Sequence, residues 1–197
     1  MSSTVGPGLQ DMARDLVLTQ NVTLDGVVDM SAGWADPGRE APDPAQVALN
    51  AEHMAAESAL LLGRRTFVDF RGFWPAQAGT DTTGISAHLD AVPKHVVSAT
   101  LGDPGWAGTT VHRGDAVETV VTLKAGEGGE ICCTGSITLA HVLLTADLVD
   151  EVRTFVHPVV VGAGRRLFPD GGAPTSWRPV AARTFTTGVT FAAYRRS

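Results

Sequence analysis

The residues with the clearest chemical use are Gly63-Arg64-Arg65-Thr66, set directly behind the apolar run Leu60-Leu61-Leu62. An apolar run that breaks at glycine and restarts with basic and hydroxyl residues reads as a short buried strand feeding a helix start. The first turn of a helix leaves backbone N–H groups without partners and carries the positive end of the helix dipole. With two arginines and a threonine beside it, the fitting ligand is a phosphate, and so a nucleotide cofactor. The competing reading is a plain strand-to-helix turn whose arginines solvate the surface. A second unit of the same kind follows at Ile131-Cys132-Cys133-Thr134-Gly135-Ser136, where a short apolar strand ends in Gly and Ser and Ile137 to Leu144 continues with helical spacing. Two such helix starts in one chain suit a dinucleotide pyrophosphate held between them.

Other residues offer weaker chemistry. Asp25-Gly26 is a strong turn signal, and Asp25 either caps that turn or orients a substrate. His53 and His157 are candidate proton shuttles, although a lone histidine is as readily a packing residue. Gly162-Ala163-Gly164 opens like a dinucleotide fingerprint but lies between Pro158 and Arg165-Arg166-Leu167-Phe168-Pro169 with no helix start, so a structural turn is expected. The two cysteines, Cys132 and Cys133, are adjacent in an apolar run and point to opposite faces if extended, which predicts two reduced, buried thiols. No Cys-x-x-Cys or His-Glu-x-x-His spacing occurs, and no metal is expected.

With 197 residues, 44% of them hydrophobic and 18% charged, the chain is sized for one domain with a sizeable core. A formal net charge of −6 and the lack of any Lys/Arg-rich run leave no basic face for a nucleic-acid backbone. No apolar stretch reaches membrane-span length, and Met1 to Arg14 lacks a signal-peptide pattern, so a cytoplasmic protein is expected. Residues 1–13 read as a flexible leader and 14–197 as the single domain.

The elements that must position these residues alternate. Asp15 to Thr23 reads as a strand, and Met30 to Pro44 as a long Gly/Pro/Asp-rich loop holding Trp34 that is either a functional cover or a surface excursion. Asp43-Pro44 starts a helix, with Asp as N-cap and Pro at the first position, which runs into a strand at Ala59. A short helix after Thr66 carries Phe67 and Phe70 and stops near Gly72; Trp74-Pro75 opens another loop. Lys94 to Ala99 (strand), Gly114 to Lys124 (helix), Glu130 to Thr134 (strand), Ser136 to Thr145 (helix) and Glu151 to His157 (strand) follow. Arg183 to Thr186 and Val189 to Tyr194, joined around Gly188, are strands without a helix between them. The pattern predicts an α/β fold with a mixed, mainly parallel sheet, helices on both faces and an antiparallel C-terminal edge.

Leu-Gly-Arg-Arg-Thr-Phe at 62 to 67, Val-Val-Ser-Ala-Thr at 96 to 100, Thr-Gly-Ser at 134 to 136, Leu-Val-Asp-Glu at 148 to 151 and His-Pro-Val-Val-Val-Gly-Ala-Gly at 157 to 164 stand in the order seen in dihydrofolate reductase-like proteins. The chain most resembles the reductase domain of the bifunctional riboflavin-biosynthesis deaminase-reductase, from Arg14 to Arg195. The resemblance implies a three-layer dihydrofolate reductase-like fold and an NADPH-binding reductase. By position, Gly63, Arg64, Arg65 and Thr66 would serve the cofactor phosphates, with Arg64 at the adenosine 2′-phosphate. Ser98 would lie near the adenosine, and Gly135, Ser136 and Ile137 near the pyrophosphate. Relatives of this kind commonly pair, which implies a homodimer, and the apolar Val189, Phe191 and Tyr194 suit either an interface or ordinary core.

Departures narrow the expectation. No deaminase zinc motif is present. Where folate enzymes carry a helix carboxylate, an ungapped alignment puts Val47 between Gln46 and Ala48, so efficient folate reduction is not expected. The family's paired glycines become Gly135-Ser136. The leading function is hydride transfer from NADPH to a small heterocyclic, pyrimidine- or pterin-like, or carbonyl substrate, in a pocket made by Asn21, the Met30 to Pro44 loop and the first helix. Asn21, Asp25, Gln46 and His53 are the catalytic candidates. The alternative is a non-catalytic nucleotide-binding protein that retains the fold.

Overall fold

Leu16, Leu18, Gln20 and Val22 face one side of the first strand, β1 (Leu16–Thr23), and Val17, Thr19, Asn21 and Thr23 the other, so one sheet face is largely apolar from its first strand. The computed structural model describes residues 14–30, 33–34 and 43–197. The expected leader at 1–13 and most of the Met30 to Pro44 loop lie outside them.

Helix α1 (Pro44–Ala56) starts as the sequence dictates. Asp43 accepts from the N–H groups of Ala45 at 2.8 Å and Gln46 at 3.3 Å, with Pro44 at the first position. Then come β2 (Glu57–Gly63), α2 (Arg64–Phe73), a 3-10 turn (Trp74–Gln77), α3 (Ile85–Ala91), β3 (Lys94–Val97), β4 (Thr109–His112), α4 (Ala116–Lys124), β5 (Glu130–Thr134), α5 (Ile137–Thr145), β6 (Glu151–His157), β7 (Trp177–Thr184) and β8 (Thr190–Arg196). Among the described residues the strands form one sheet in the order β4-β3-β2-β5-β1-β6-β8-β7. β4 to β6 run parallel, and β8 and β7 close the sheet antiparallel. This is the mixed sheet with an antiparallel edge expected from the sequence.

Successive strands step from β1 out to β4, after which β5 returns between β2 and β1 and β6 joins on the far side. The carboxyl ends of β2, β5 and β1 therefore lie side by side at a topological switch point, where open α/β sheets bind ligands. On one face α4 and α5 cover Leu16, Leu18, Leu61, Ile131 and Cys133; on the other α2 and α3 cover Leu60, Leu62, Val96 and Cys132. A fully buried leucine stabilises by about 1.5 to 3 kcal/mol, so this double-sided core fixes the helix starts above the sheet rigidly. Phe155, Phe191 and Ala193 form a third cluster, against which Leu49 of α1 packs.

Both cysteines are buried, and burial pushes the Cys133 thiol up to about 12 and Cys132 upward as well, so both are neutral thiols.

Several elements differ from the expectation. α3 and β4 were not foreseen: α3 buries only Ser86 and Leu89, and β4 is a four-residue edge strand with one aliphatic side chain. Trp74-Pro75 makes a 3-10 turn rather than an open loop. β7 begins at Trp177, well before Arg183, because Pro179 sits on the sheet edge at a register shift, where a missing N–H costs no ladder bond.

Candidate active site at the carboxyl edge of the sheet

The helix starts of this fold fall into two groups. At α1 the first-turn N–H groups are met by Asp43, at α4 by Asp115, and at α3 by Asp81 and Thr83. At α2 and α5 no side chain caps the first turn and no acidic residue lies in it. These two helices follow β2 and β5, neighbours at the switch point. The uncapped N–H groups and both positive dipole ends are thus gathered at one place, as an anion site requires.

The two starts are fastened to each other. The Gly63 N–H donates to Ser136 Oγ at 2.8 Å, and the Ser136 N–H donates to Thr66 Oγ1 at 2.8 Å. Each hydroxyl oxygen accepts a backbone N–H and keeps its own proton for another acceptor. Gly135 and Ser136 are both left-handed, with φ of 57° and 49°, and the peptide between them is trans. For serine that conformation costs about 1 to 2 kcal/mol. A Cβ on Gly135 would stand 2.8 Å from Thr66 Cγ2, so the close approach of β5 to α2 requires glycine. From below, Gln20, 4% exposed, donates from Nε2 to the Gly135 carbonyl at 2.6 Å.

Of the residues expected at the cofactor, Gly63, Arg64, Arg65, Thr66, Gly135, Ser136 and Ile137 are brought together at this junction. Arg64 and Arg65 are exposed and form no ion pair among the described residues. Ser98 stands beyond the end of β3, where its Oγ accepts from the N–H groups of Thr100 and Leu101 at 3.2 and 2.9 Å and shapes its own loop.

The catalytic candidates do not converge. Asn21 Oδ1 lies 3.0 Å from His157 Nε2, and the Trp34 ring meets His157 edge-on at 5.1 Å. Burial lowers the His157 pKa, leaving a neutral imidazole at pH 7. Asp25 shares no hydrogen bond with them among the described residues and serves the turn. It accepts from the Thr23 hydroxyl at 2.6 Å and from the N–H groups of Gly162 and Val161, which together hold its carboxyl below the usual carboxylate value. The Gly162-Ala163-Gly164 segment is accordingly the structural turn expected. Gln46 and His53 lie on α1; His53 stands 5.3 Å from the Phe191 ring, and burial, then the Arg153 guanidinium, lower its pKa.

The sequence reading missed Gln20. The signal was present, because Gln20 occupies an inward position of β1 in step with Leu16, Leu18 and Val22, and a polar residue in that register needs a partner.

Comparison with known proteins decides the family. The RibD C-terminal domain profile matches residues 14–191. The chain belongs to the RibD C-terminal domain family. Its fold is accordingly the dihydrofolate reductase-like one. Among curated proteins it is 28% identical over 177 residues to the uncharacterized protein YyaP of Bacillus subtilis (strain 168), covering 89% of this chain and 92% of that one. Among solved structures it is similar to a protein of Shewanella sp. PV-4 assigned provisionally to riboflavin biosynthesis, with TM-score 0.68 and 21% identity over 94% of this chain and 99% of the other. It is also similar to the diaminohydroxyphosphoribosylaminopyrimidine deaminase/5-amino-6-(5-phosphoribosylamino)uracil reductase of Thermotoga maritima, with TM-score 0.65 and 16% identity over 95% of this chain. The match spans 58% of that longer protein.

Proposed function

We propose that this protein is an NADPH-dependent reductase that passes a hydride to a small heterocyclic substrate of pyrimidine or pterin type, or to a small carbonyl compound. The observation that carries this reading is the pair of uncapped helix starts, α2 and α5, fastened together through Gly63, Thr66 and Ser136 with Arg64 and Arg65 exposed beside them. Membership of the RibD C-terminal domain family supports reductase chemistry, and the Thermotoga relative carries a uracil reductase in its name.

When bound, the dihydronicotinamide supplies the hydride. This chain binds and orients. The first-turn N–H groups of α2 and α5 meet the pyrophosphate, and the hydroxyls of Thr66 and Ser136, their oxygens already engaged, turn their protons outward to it. Arg64 pairs with the adenosine 2′-phosphate. The substrate side is assigned to the face of β1 opposite Gln20, where Asn21 pairs with His157, and to α1, which carries Gln46 and His53. A folate-type carboxylate is missing there. Asp43, the acid at the start of α1, spends one carboxylate oxygen on the α1 cap and the other on the N–H and hydroxyl of Thr186.

Replacing Arg64 tests the cofactor reading. Arg64→Ala should weaken NADPH by roughly tenfold to a hundredfold, the value of one charge-assisted pair, and leave NADH nearly unchanged. Titration of both dinucleotides checks it; equal losses would move the 2′-phosphate to Arg65 or Ser98.

The protein also acts as a homodimer on this reading. Every residue of β7 after Trp177 is exposed, including Val180 at 42%, and Tyr194 of β8 is 39% exposed, whereas Val189 and Phe191 belong to the core. Light scattering should give twice the mass of the 20.6 kDa chain, and Tyr194→Glu should return it to the monomer.

A further inference from the structure

β5 leaves the sheet at Gly135. Its ladder with β2 ends at Cys133 and its ladder with β1 at Thr134, so the Gly135 carbonyl lies past both and takes its hydrogen bond from a side chain. That side chain is Gln20, whose Nε2 donates to it at 2.6 Å. A carbonyl oxygen only accepts, which settles the direction of the carboxamide: its nitrogen faces Gly135.

The same peptide is held at its other end. In a trans peptide the C=O and the N–H point opposite ways, and here the Ser136 N–H donates to Thr66 Oγ1 at 2.8 Å. Gln20 and Thr66 therefore grip one peptide plane from two sides. Ser136 adds a third tie through its Oγ, which accepts the Gly63 N–H at 2.8 Å.

The orientation of this plane matters for charge. With the carbonyl turned to Gln20, the starts of α2 and α5 present N–H groups to a ligand. Turned over, the peptide would set a carbonyl oxygen among them, and its partial negative charge would oppose an anion. Gly135 has no side chain to resist such a turn, so the resistance comes from the partners of the peptide.

The surroundings of Gln20 suit it to the task. It is buried in step with Leu18 and Val22 and beside Thr154 of β6, in the core layer that Ile137 and Ala140 of α5 close. None of these groups titrates. A donor held among them competes little with water, and its hydrogen bond is correspondingly strong.

We infer that Gln20 is the positioning residue of the cofactor junction: it keeps the Gly135 carbonyl turned away from the bound phosphates, and so sets how tightly the two helix starts hold an anion. This rests on the reductase reading and adds to it a residue that acts through Gly135.

The probes are inorganic pyrophosphate and NADP+, which carries the same phosphates as NADPH and survives acid, each titrated calorimetrically into the full chain. Gln20→Met removes the donor at nearly constant volume. It should weaken both probes by at least about tenfold, the cost of one buried hydrogen bond left unmade. Without ligand, its Ser136 amide should exchange with solvent faster than in the parent. Gln20→Glu is the sharper variant. Ionised, its carboxylate only accepts and favours the turned-over peptide; protonated, it donates to the Gly135 carbonyl as the carboxamide does. At about pH 8 it should bind at least as weakly as Gln20→Met, and at about pH 5.5 it should recover toward the parent at the same pH, because burial raises the pKa of the introduced carboxyl. A glutamine that only fills space would show no such reversal. Parent-like affinity in Gln20→Met, a Gln20→Glu deficit that is the same at both pH values, or a parent that binds neither probe overturns the inference. Pyrophosphate binding that depends on Gln20 without NADP+ binding removes only the reductase reading, and NADP+ binding indifferent to both variants removes only the inference.

Discussion

Gly135→Val should abolish cofactor binding at ordinary concentrations while leaving the sheet intact. A side chain at φ 57° pays the left-handed penalty, and its Cβ would sit 2.8 Å from Thr66 Cγ2 and 3.0 Å from Thr66 Oγ1. Thr66 is β-branched and cannot swing aside without releasing the Ser136 N–H it holds. The left-handed term of about 1 to 2 kcal/mol and an overpacking term of about 1 to 3 kcal/mol together make about 2 to 5 kcal/mol to be overcome before the two helix starts regain their spacing. NADPH affinity should fall by roughly 30-fold to a few thousand-fold. Calorimetric titration checks it, with circular dichroism confirming the fold. A variant that folds and binds NADPH as the parent does would show that the junction is structural only.

The second large effect is expected at Arg153, under α1. Its terminal nitrogens meet Glu130 at 2.8 and 2.9 Å and its Nε meets Glu151 at 2.6 Å, with the guanidinium side chain only 9% exposed. Burial works against the charge, but the hydrogen bonds to Glu130 and Glu151 outweigh it and hold the Arg153 pKa above its ordinary value. Arg153→Met removes the cation, leaving Glu130, among the described residues, without a cation and Glu151 with only the Arg195 contact at 3.6 Å, which costs about 3 to 5 kcal/mol. For a chain of this size that lowers the melting temperature by roughly 6 to 20 °C at neutral pH. Adding Glu130→Gln and Glu151→Gln should recover much of the loss. Thermal melts decide it, and an Arg153→Met melt within about 2 °C of the parent would contradict the buried network.

How much the sequence disclosed depended on the physics of each segment. The parallel core strands were readable because both faces are buried: Leu60-Leu61-Leu62 and Ile131-Cys132-Cys133 are continuous apolar runs. Both strand-to-helix turns were readable because glycine follows those runs and helical spacing resumes behind it. β4 and α3 were not, since a short edge strand and a seven-residue helix draw their order from neighbours rather than from their own periodicity. The fastening of Gly63, Thr66 and Ser136 was out of reach, because it joins residues about 70 positions apart. Asp25 was ambiguous in sequence for a similar reason, as its partners Val161 and Gly162 arrive from the far side of the chain.

The central claim is that the starts of α2 and α5 together hold the cofactor's pyrophosphate. Titrating 15N-labelled protein with NADPH tests it most directly, amide by amide. The account predicts saturable shifts at Arg64, Arg65 and Thr66 and at Ile137, Thr138 and Leu139, with the side-chain-capped first turns at Ala45 and Val117 left in place. Saturable binding that moves the α1 and α4 starts and leaves these six amides still, or no binding at all, would contradict it.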